Sequence, residues 1–510
     1  MLATLGIDLP TAVLLALALL LALSFEFVNG FHDTANAVAT VIYTRSLTPT
    51  QAVVWSGTWN LIGVLTSSGA VAFGIVALLP VELVINVGSG AGFAMVFALL
   101  ISAILWNLGT WYLGLPASSS HTLIGSIVGV GLMNSLLSPG SAFGDGVNWA
   151  KVADTVKALV FSPIMGFVLA GLLLWLARRF VRIPELYTSP TADSRPPWWI
   201  RLLLVFTCTG VSFAHGSNDG QKGMGLIVLI LVGILPASFA LNLDTTASSI
   251  QDIRAGATRL EQALQQAPAN PTNAAAGTAA AAATSTGAGS DAAMRQALTR
   301  YLRKGNLDTD TLPALAQANH HVLQGLNGIS TLSALPAQQR TALRLNIYLT
   351  AETLARLVKA HKLPPYINST DADAYQKALK RLTNYVPTWV KFAVALALGL
   401  GTMIGWKRIV VTVGEKIGKA HLTYAQGASA ELVAFGTIEA ADMLGLPVST
   451  THILSSGIAG TMVASGSGVQ KETVRNIILA WVLTLPVCVA LGAALFGAAL
   501  LFVLRVLGVR

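Results

Sequence analysis

Apolar runs near the length of a membrane-spanning helix recur along the chain, at 11–27, 52–79, 92–106, 156–176, 200–211, 224–241, 389–404 and 477–504. A helix needs about 20 such residues to cross the hydrocarbon core of a bilayer. With the interrupted segments between them, these runs predict an all-α membrane protein with about ten transmembrane helices. Two pairs of short polar blocks interrupt the pattern. NGFHDTAN (29–36) is matched by HGSNDGQK (215–222), and LPASSSHTL (115–123) by LPVSTTHIL (446–454). Ionisable sequence at membrane depth is costly and marks an ion or substrate pathway. Blocks duplicated in the same order predict two inverted repeats, with the second pair forming two re-entrant hairpins.

The spacing of the blocks locates an insertion. Asp33 precedes His121 by 88 residues and Asp219 precedes His452 by 233, a difference of 145. That nearly equals one polar stretch, 244–385. The expected organisation is therefore a first transmembrane repeat (1–177), a basic linker (178–200), the start of the second repeat (201–243), the insertion, and the rest of the second repeat (386–510). Within the insertion, 274–289 has the Ala/Thr/Gly composition of a flexible linker. Helix-like segments are expected around 297–304, 338–361 and 371–383. The adjacent His320 and His321 diverge by about 100° on a helix, which suits a surface pair rather than a metal site. If 201–241 crosses once, as a broken segment, the insertion faces outward and the basic loop near Lys407 inward.

Only 11% of the 510 residues are charged, against roughly 25% in soluble domains. The net charge of +9 does not imply a nucleic-acid partner, since much of it lies in interhelical loops. Arg178, Arg179, Arg182, Arg195 and Arg201 in and beside the linker, against Glu185 and Asp193, and Lys407, Arg408, Lys416 and Lys419, opposed only by Glu415, are expected to mark cytoplasmic loops. Residues 11–27 lack a basic flank and a cleavage site before and after them, so they are expected to stay as the first span. Cys208 and Cys488 lie in apolar runs and read as small buried hydrophobes.

The blocks carry the candidate chemistry. Asp33 and Asp219 supply charge where an apolar run stops amid glycines. Those glycines are expected to let the helix unwind and free carbonyl groups for cations. In the second pair, a proline precedes three hydroxyls and a histidine, the signature of a helix N-terminus. Such an end presents N–H groups and partial positive charge to an oxyanion. Ser118, Ser119, Ser120, Ser449, Thr450 and Thr451 would add neutral donors suited to a tetrahedral anion that must also be released. His121 and His452 are each a proton relay or a hydrogen-bonded core histidine, and Glu26 a proton site or a structural partner. A Ser–His hydrolase does not fit, because Ser120 and His121 are sequence neighbours and cannot readily aim at one another.

These residues resemble the inorganic phosphate transporter (PiT) family, whose signature is a GANDVANA-like block in each half. GFHDTANA (30–37) and GSNDGQKG (216–223) occupy those places, and PASSSHT and PVSTTHI are similar to the family's paired serine/threonine hairpins. The insertion and Lys222 look similar to the family's bacterial low-affinity members. The resemblance implies import of inorganic phosphate, largely as a complex with a divalent metal such as magnesium, by proton symport through a bacterial inner membrane. It implies no resident metal or cofactor. Asp33 and Asp219 would be the essential acids. Asn36 and Asn218 would contribute to the site, and the six hydroxyl residues would hold phosphate. His32 and Lys222 stand where the family has asparagine, and Gln221 where it has a small residue. An ammonium beside Asp219 would replace a coupling cation. Alternatively Lys222 faces the phosphate or snorkels to the surface. Sodium-coupled phosphate symport, a sulfate permease and an anion channel are the competing readings. A homodimer is compatible with the sequence, which fixes no oligomeric state.

Overall fold

The computed structural model describes residues 7–79, 88–138, 140–145, 147–190, 196–266 and 288–505, without the side chains of 34–36, 237, 288 and 503–505. Most of the expected flexible tract at 274–289, and Arg195 of the linker, therefore lie outside the described residues. The chain forms two compact units, one of residues 13–79, 89–230 and 386–510, the other of 1–12, 80–88 and 231–385.

The first unit is helical. Its first half contributes α1 (Leu9–Tyr43), α2 (Pro49–Thr66), α3 (Ala70–Val76), α4 (Gly90–Tyr112), α5 (Ser119–Leu137) and α6 (Trp149–Phe180), followed by α7 (Trp198–Ile234). Six described helices are by themselves long and apolar enough to cross a membrane, α1, α4, α5, α6, α7 and one near the C-terminus. The number reaches eight if two closely spaced helix pairs each count as one span, one of them α2 with α3, bent by 76°. The sequence suggested about ten. α13 (Thr388–Ile404) enters the count only within the other pair, so the shortfall falls on α15 (Tyr424–Met443) and α16 (Thr450–Ala464). The second of these has only 15 residues, and α15 carries Glu431, Glu439 and Asp442. The last helix, α17 (Lys471–Arg505), follows them.

Helix packing in this unit is reciprocal. The helices α4 and α5 pack on α17, while α15 and α16 pack on α6, and α2 packs on α13. Each half thus lays its hairpin helix against the long helix of the other. The two cysteines are buried and form no disulfide.

The signature glycines explain why this packing is possible, and they correct one expectation. NGFHDTAN and HGSNDGQK do not unwind; both lie inside continuous helices, of 35 and 37 residues. The crossing expected at 201–241 as a broken segment is likewise unbroken from Trp198 to Ile234. At about 1.5 Å per residue each helix is roughly 50 Å long. The glycines act instead as contact points. A Cβ on Gly30 would lie 2.2 Å from the Leu398 carbonyl oxygen, and one on Gly401 2.0 Å from that of Phe27. The other half repeats the device: Gly216 would meet Asn60 O at 2.1 Å and Gly63 would meet Phe213 O at 2.2 Å. Helix backbones touch where only a hydrogen fits, as small residues allow in membrane bundles.

The second unit holds α8 (Ala247–Gln265), α9 (Ala288–Lys304), α10 (Thr311–Leu326), α11 (Ala337–Lys359) and α12 (Ser369–Thr383). They enclose a core that includes Leu260, Leu298, Leu315, Ile347 and Leu379. The helix α10 had no counterpart in the sequence reading. Its His320 pairs with Glu261 at 2.7 Å, and His321 lies 3.7 Å from Asp291, so the two histidines serve different partners. The ends of the unit are tied together. Arg344 donates to the carbonyls of Ala240 (2.7 Å) and Thr383 (3.3 Å), and Asn242 N donates to Leu382 O at 2.8 Å.

Because backbone carbonyls cannot yield as side chains do, Gly216→Ala and Gly401→Ala should each destabilise the helical unit by about 1–3 kcal/mol or more. Thermal unfolding in detergent checks this; unshifted midpoints for both would contradict the close approach.

Candidate functional site

The two hairpin helices begin in the same way. Ser118 is the N-cap of α5 and its hydroxyl accepts from His121 N at 3.2 Å; Ser449 caps α16 and accepts from His452 N at 3.1 Å. Both cap residues have extended backbone. The first hydroxyl of each triplet is therefore engaged by its own helix end, satisfying one of the otherwise unpaired N–H groups.

The remaining hydroxyls diverge between the halves. Ser119 donates to Asp33 Oδ2 at 2.7 Å and lies 3.5 Å from Asp219 Oδ2. Thr451 donates to Asp33 Oδ1 at 2.5 Å. Ser120 donates to the Val448 carbonyl at 2.6 Å, bridging one triplet to the turn ahead of the other. Thr450, which corresponds to Ser119 in the repeat, is buried with its hydroxyl unpartnered among the described residues.

The acids of α1 and α7 meet at these hydroxyls. Asp219 Oδ1 is 2.8 Å from Lys222 Nζ, one helical turn on, and both side chains are fully buried. That burial removes snorkelling as a description of Lys222. Lys222 Nζ also lies 3.4 Å from Ser119 Oγ, so Ser119 touches both acids and the ammonium. His32 Nδ1 is 3.2 Å from Asp33 Oδ1, with Nε2 3.1 Å from Thr110 Oγ1 on α4. His215 Nε2 is 3.5 Å from Asp219 Oδ2. Asp33, His215 and Asp219 each offer a ligand atom within 4.8 Å of the others, a grouping that could take a cation.

Other expected residues fall nearby. Asn218 donates to Leu446 O at 3.2 Å, and its carbonyl oxygen is unpartnered among the described residues. Glu26 is fully buried and packs on Gly223, where a Cβ would lie 2.3 Å from Glu26 Cγ. His121 and His452 pack against each other with ring centroids 4.7 Å apart and planes tilted by 35°, and His452 stacks on Trp481 at 4.1 Å. Trp481 in turn donates to Pro116 O at 2.8 Å, fixing the stack to the first hairpin. The side chain of Asn36 lies outside the described residues.

Residues 29–492 match the model of the phosphate transporter family. The chain belongs to that family. It is 43% identical to the low-affinity inorganic phosphate transporter PitB of Escherichia coli (strain K12), over 97% of this chain and 98% of that protein. Identity to PitA of the same organism is 42%, covering 98% and 99%. A probable low-affinity inorganic phosphate transporter of Bacillus subtilis (strain 168) is 27% identical over 94% of this chain and 96% of its own. The solved structure of a sodium-dependent phosphate transporter is similar in fold, with a TM-score of 0.50 at 20% identity, over 96% of this chain and 99% of that one.

In this phosphate transporter the cluster also takes in four residues that the motifs do not single out: His215, Asn60, Thr110 and Glu431. His215 stands four positions before Asp219, so the pairing is legible once the block is known to be helical. Asn60 Oδ1 accepts from His215 Nδ1 (2.9 Å) and its Nδ2 donates to Thr402 Oγ1 (3.1 Å), but nothing in sequence links α2 to α7. Thr110 was an unremarked residue of an apolar run. Glu431, fully buried on α15, accepts from Thr40 of α1 and Thr207 of α7, holding both signature helices. Its signal is an acid set among the small residues of GASAELVA (427–434).

The split within each triplet predicts different consequences. Ser449→Ala removes a cap and should cost about 1 kcal/mol of stability. Thr450→Ala removes an unpartnered hydroxyl and should leave stability unchanged while weakening phosphate binding. Thermal unfolding with and without phosphate separates the two; equal behaviour of the variants would contradict the division of roles.

Proposed function

We propose that this phosphate transporter is a secondary active symporter. It imports phosphate with protons across the inner membrane of a bacterium, and carries it as a complex with a divalent metal such as magnesium. The observation that carries this reading is the fixed ammonium of Lys222, 2.8 Å from Asp219 and fully buried. Lys222 holds the charge that a sodium ion would bring to that half, so Asp219 needs no sodium partner.

The charge balance supports proton and metal entry. Among the described residues, Glu26, Asp33, Asp219 and Glu431 are buried carboxyl groups, and Lys222 is the one buried ammonium or guanidinium. An unpaired buried charge costs several kcal/mol, so the surplus carboxyls call for protons or a cation. Glu26, fully buried with both carboxyl oxygens unpartnered among the described residues, is the natural place for an exchangeable proton. A metal travelling with phosphate would find Asp33, His215 and Asp219 spaced as ligands. The phosphate oxygens would meet the N-termini of α5 and α16 and the hydroxyl of Thr450, neutral donors that bind without trapping. Rocking of the two repeats about this site would alternate access.

Uptake of radiolabelled phosphate by purified protein in sealed, sodium-free liposomes tests the reading. An inward proton gradient should drive accumulation above equilibrium, magnesium should raise it, and excess sulfate should leave it unchanged. A requirement for sodium would overturn the proton assignment, and competition by sulfate would overturn the substrate discrimination. Lys222→Asn should lower sodium-free uptake severalfold and make the remainder respond to sodium. Unchanged uptake and ion dependence would remove Lys222 from the coupling role.

A further inference from the structure

Where α4 ends and α13 gives way to α14 (Lys407–Val411), an open cavity of about 490 Å³ lies outside the cluster of buried acids. Its wall carries Lys407, Arg408 and Lys416 beside Trp111 and Tyr112. The Arg408 guanidinium lies 5.3 Å from the Trp111 ring centroid and 5.0 Å from that of Tyr112, and donates to Tyr112 O at 2.9 Å. Its orientation is thus fixed. Lys407 and Lys416 are exposed beside it.

The surroundings identify the occupant. Tyr112, Leu113 and Ile404 are 66%, 69% and 68% exposed, so an apolar rim flanks three cations. Water is a poor partner for that rim, and free phosphate uses none of it. Aromatic rings with lysine and arginine at a helix end are the signature of the bilayer interface, and an excess of such cations marks its cytoplasmic side. Basic pockets between helix ends there attract anionic headgroups. We infer that this cavity binds the phosphodiester headgroup of an anionic phospholipid, with Lys407, Arg408 and Lys416 around the phosphate and the acyl chains along Leu113 and Ile404.

The cavity wall is also joined to the transport site. Trp111 Nε1 donates to Gly405 O and Thr412 Oγ1 to Gly114 O, each at 2.7 Å, clamping the turn that leads into Ser118. Thr110, beside Trp111, contacts His32. A bound lipid would therefore brace the segment from which the first hairpin emerges.

Nanodiscs of mixed phosphatidylglycerol and phosphatidylcholine, followed by native mass spectrometry of the released protein, test the assignment. The wild type should retain phosphatidylglycerol in preference to phosphatidylcholine. The triple variant Lys407→Gln, Arg408→Gln, Lys416→Gln should lose that preference by about tenfold, while Lys377→Gln, on the other compact unit, should keep it. Equal retention of both lipids by the wild type, or full retention by the triple variant, would overturn the proposal. So would displacement of phosphatidylglycerol by millimolar inorganic phosphate, which would make the cavity a vestibule for the free anion.

Discussion

A buried ammonium must be paired or it destabilises the fold that buries it. Lys222 meets that constraint through Asp219, one turn away on the same helix, and through contact with Ser119 of the first hairpin. Ser119 then reaches Asp33 on α1. One ion pair therefore ties three helices drawn from both halves of the chain. Removing either partner leaves an uncompensated charge in a low-dielectric interior, whereas the intact pair limits that cost. The site is asymmetric for the same reason. In the second half a cation is covalently present, while in the first half the corresponding acid depends on His32, hydroxyl donors and whatever arrives from solution.

Close packing supplies the geometry on which this pair depends. The reciprocal glycine contacts bring α1 onto α13 and α7 onto α2, with backbone oxygen atoms where a methyl group would stand. Glu431 adds a second fastening between α1 and α7, through Thr40 and Thr207. With both signature helices intact and held, the acids project toward the capped ends of α5 and α16. The cation-binding potential of the site therefore comes from side chains, not from loosened backbone carbonyls.

Much of this was legible in the sequence because composition and duplication are strong signals. The apolar runs gave the helical membrane class, and the paired blocks located Asp33, Asp219 and the hydroxyl triplets. What the sequence could not provide was the state of the backbone at the glycines. Gly30 and Gly216 are equally compatible with unwinding and with close approach, and only the neighbouring carbonyls of Leu398 and Asn60 decide between them. The same holds for Asn60 and Thr110, whose partners lie on other helices, and for the bond from His215 to Asn60. The triplets stand out in the sequence, but the partner of each hydroxyl does not. Capping by Ser118 and Ser449 follows local rules, whereas the separate fates of Ser119 and Thr450 depend on tertiary placement.

Asp219 and Lys222 act as one energetic unit, and a double-mutant cycle measures their coupling. Stability would be determined by denaturant unfolding for the wild type, Asp219→Asn, Lys222→Gln and the combined variant. Each single change should cost about 3–5 kcal/mol, with the combined variant losing well under the sum. Additive losses within about 0.5 kcal/mol would show that the two groups do not depend on one another, and would contradict the account.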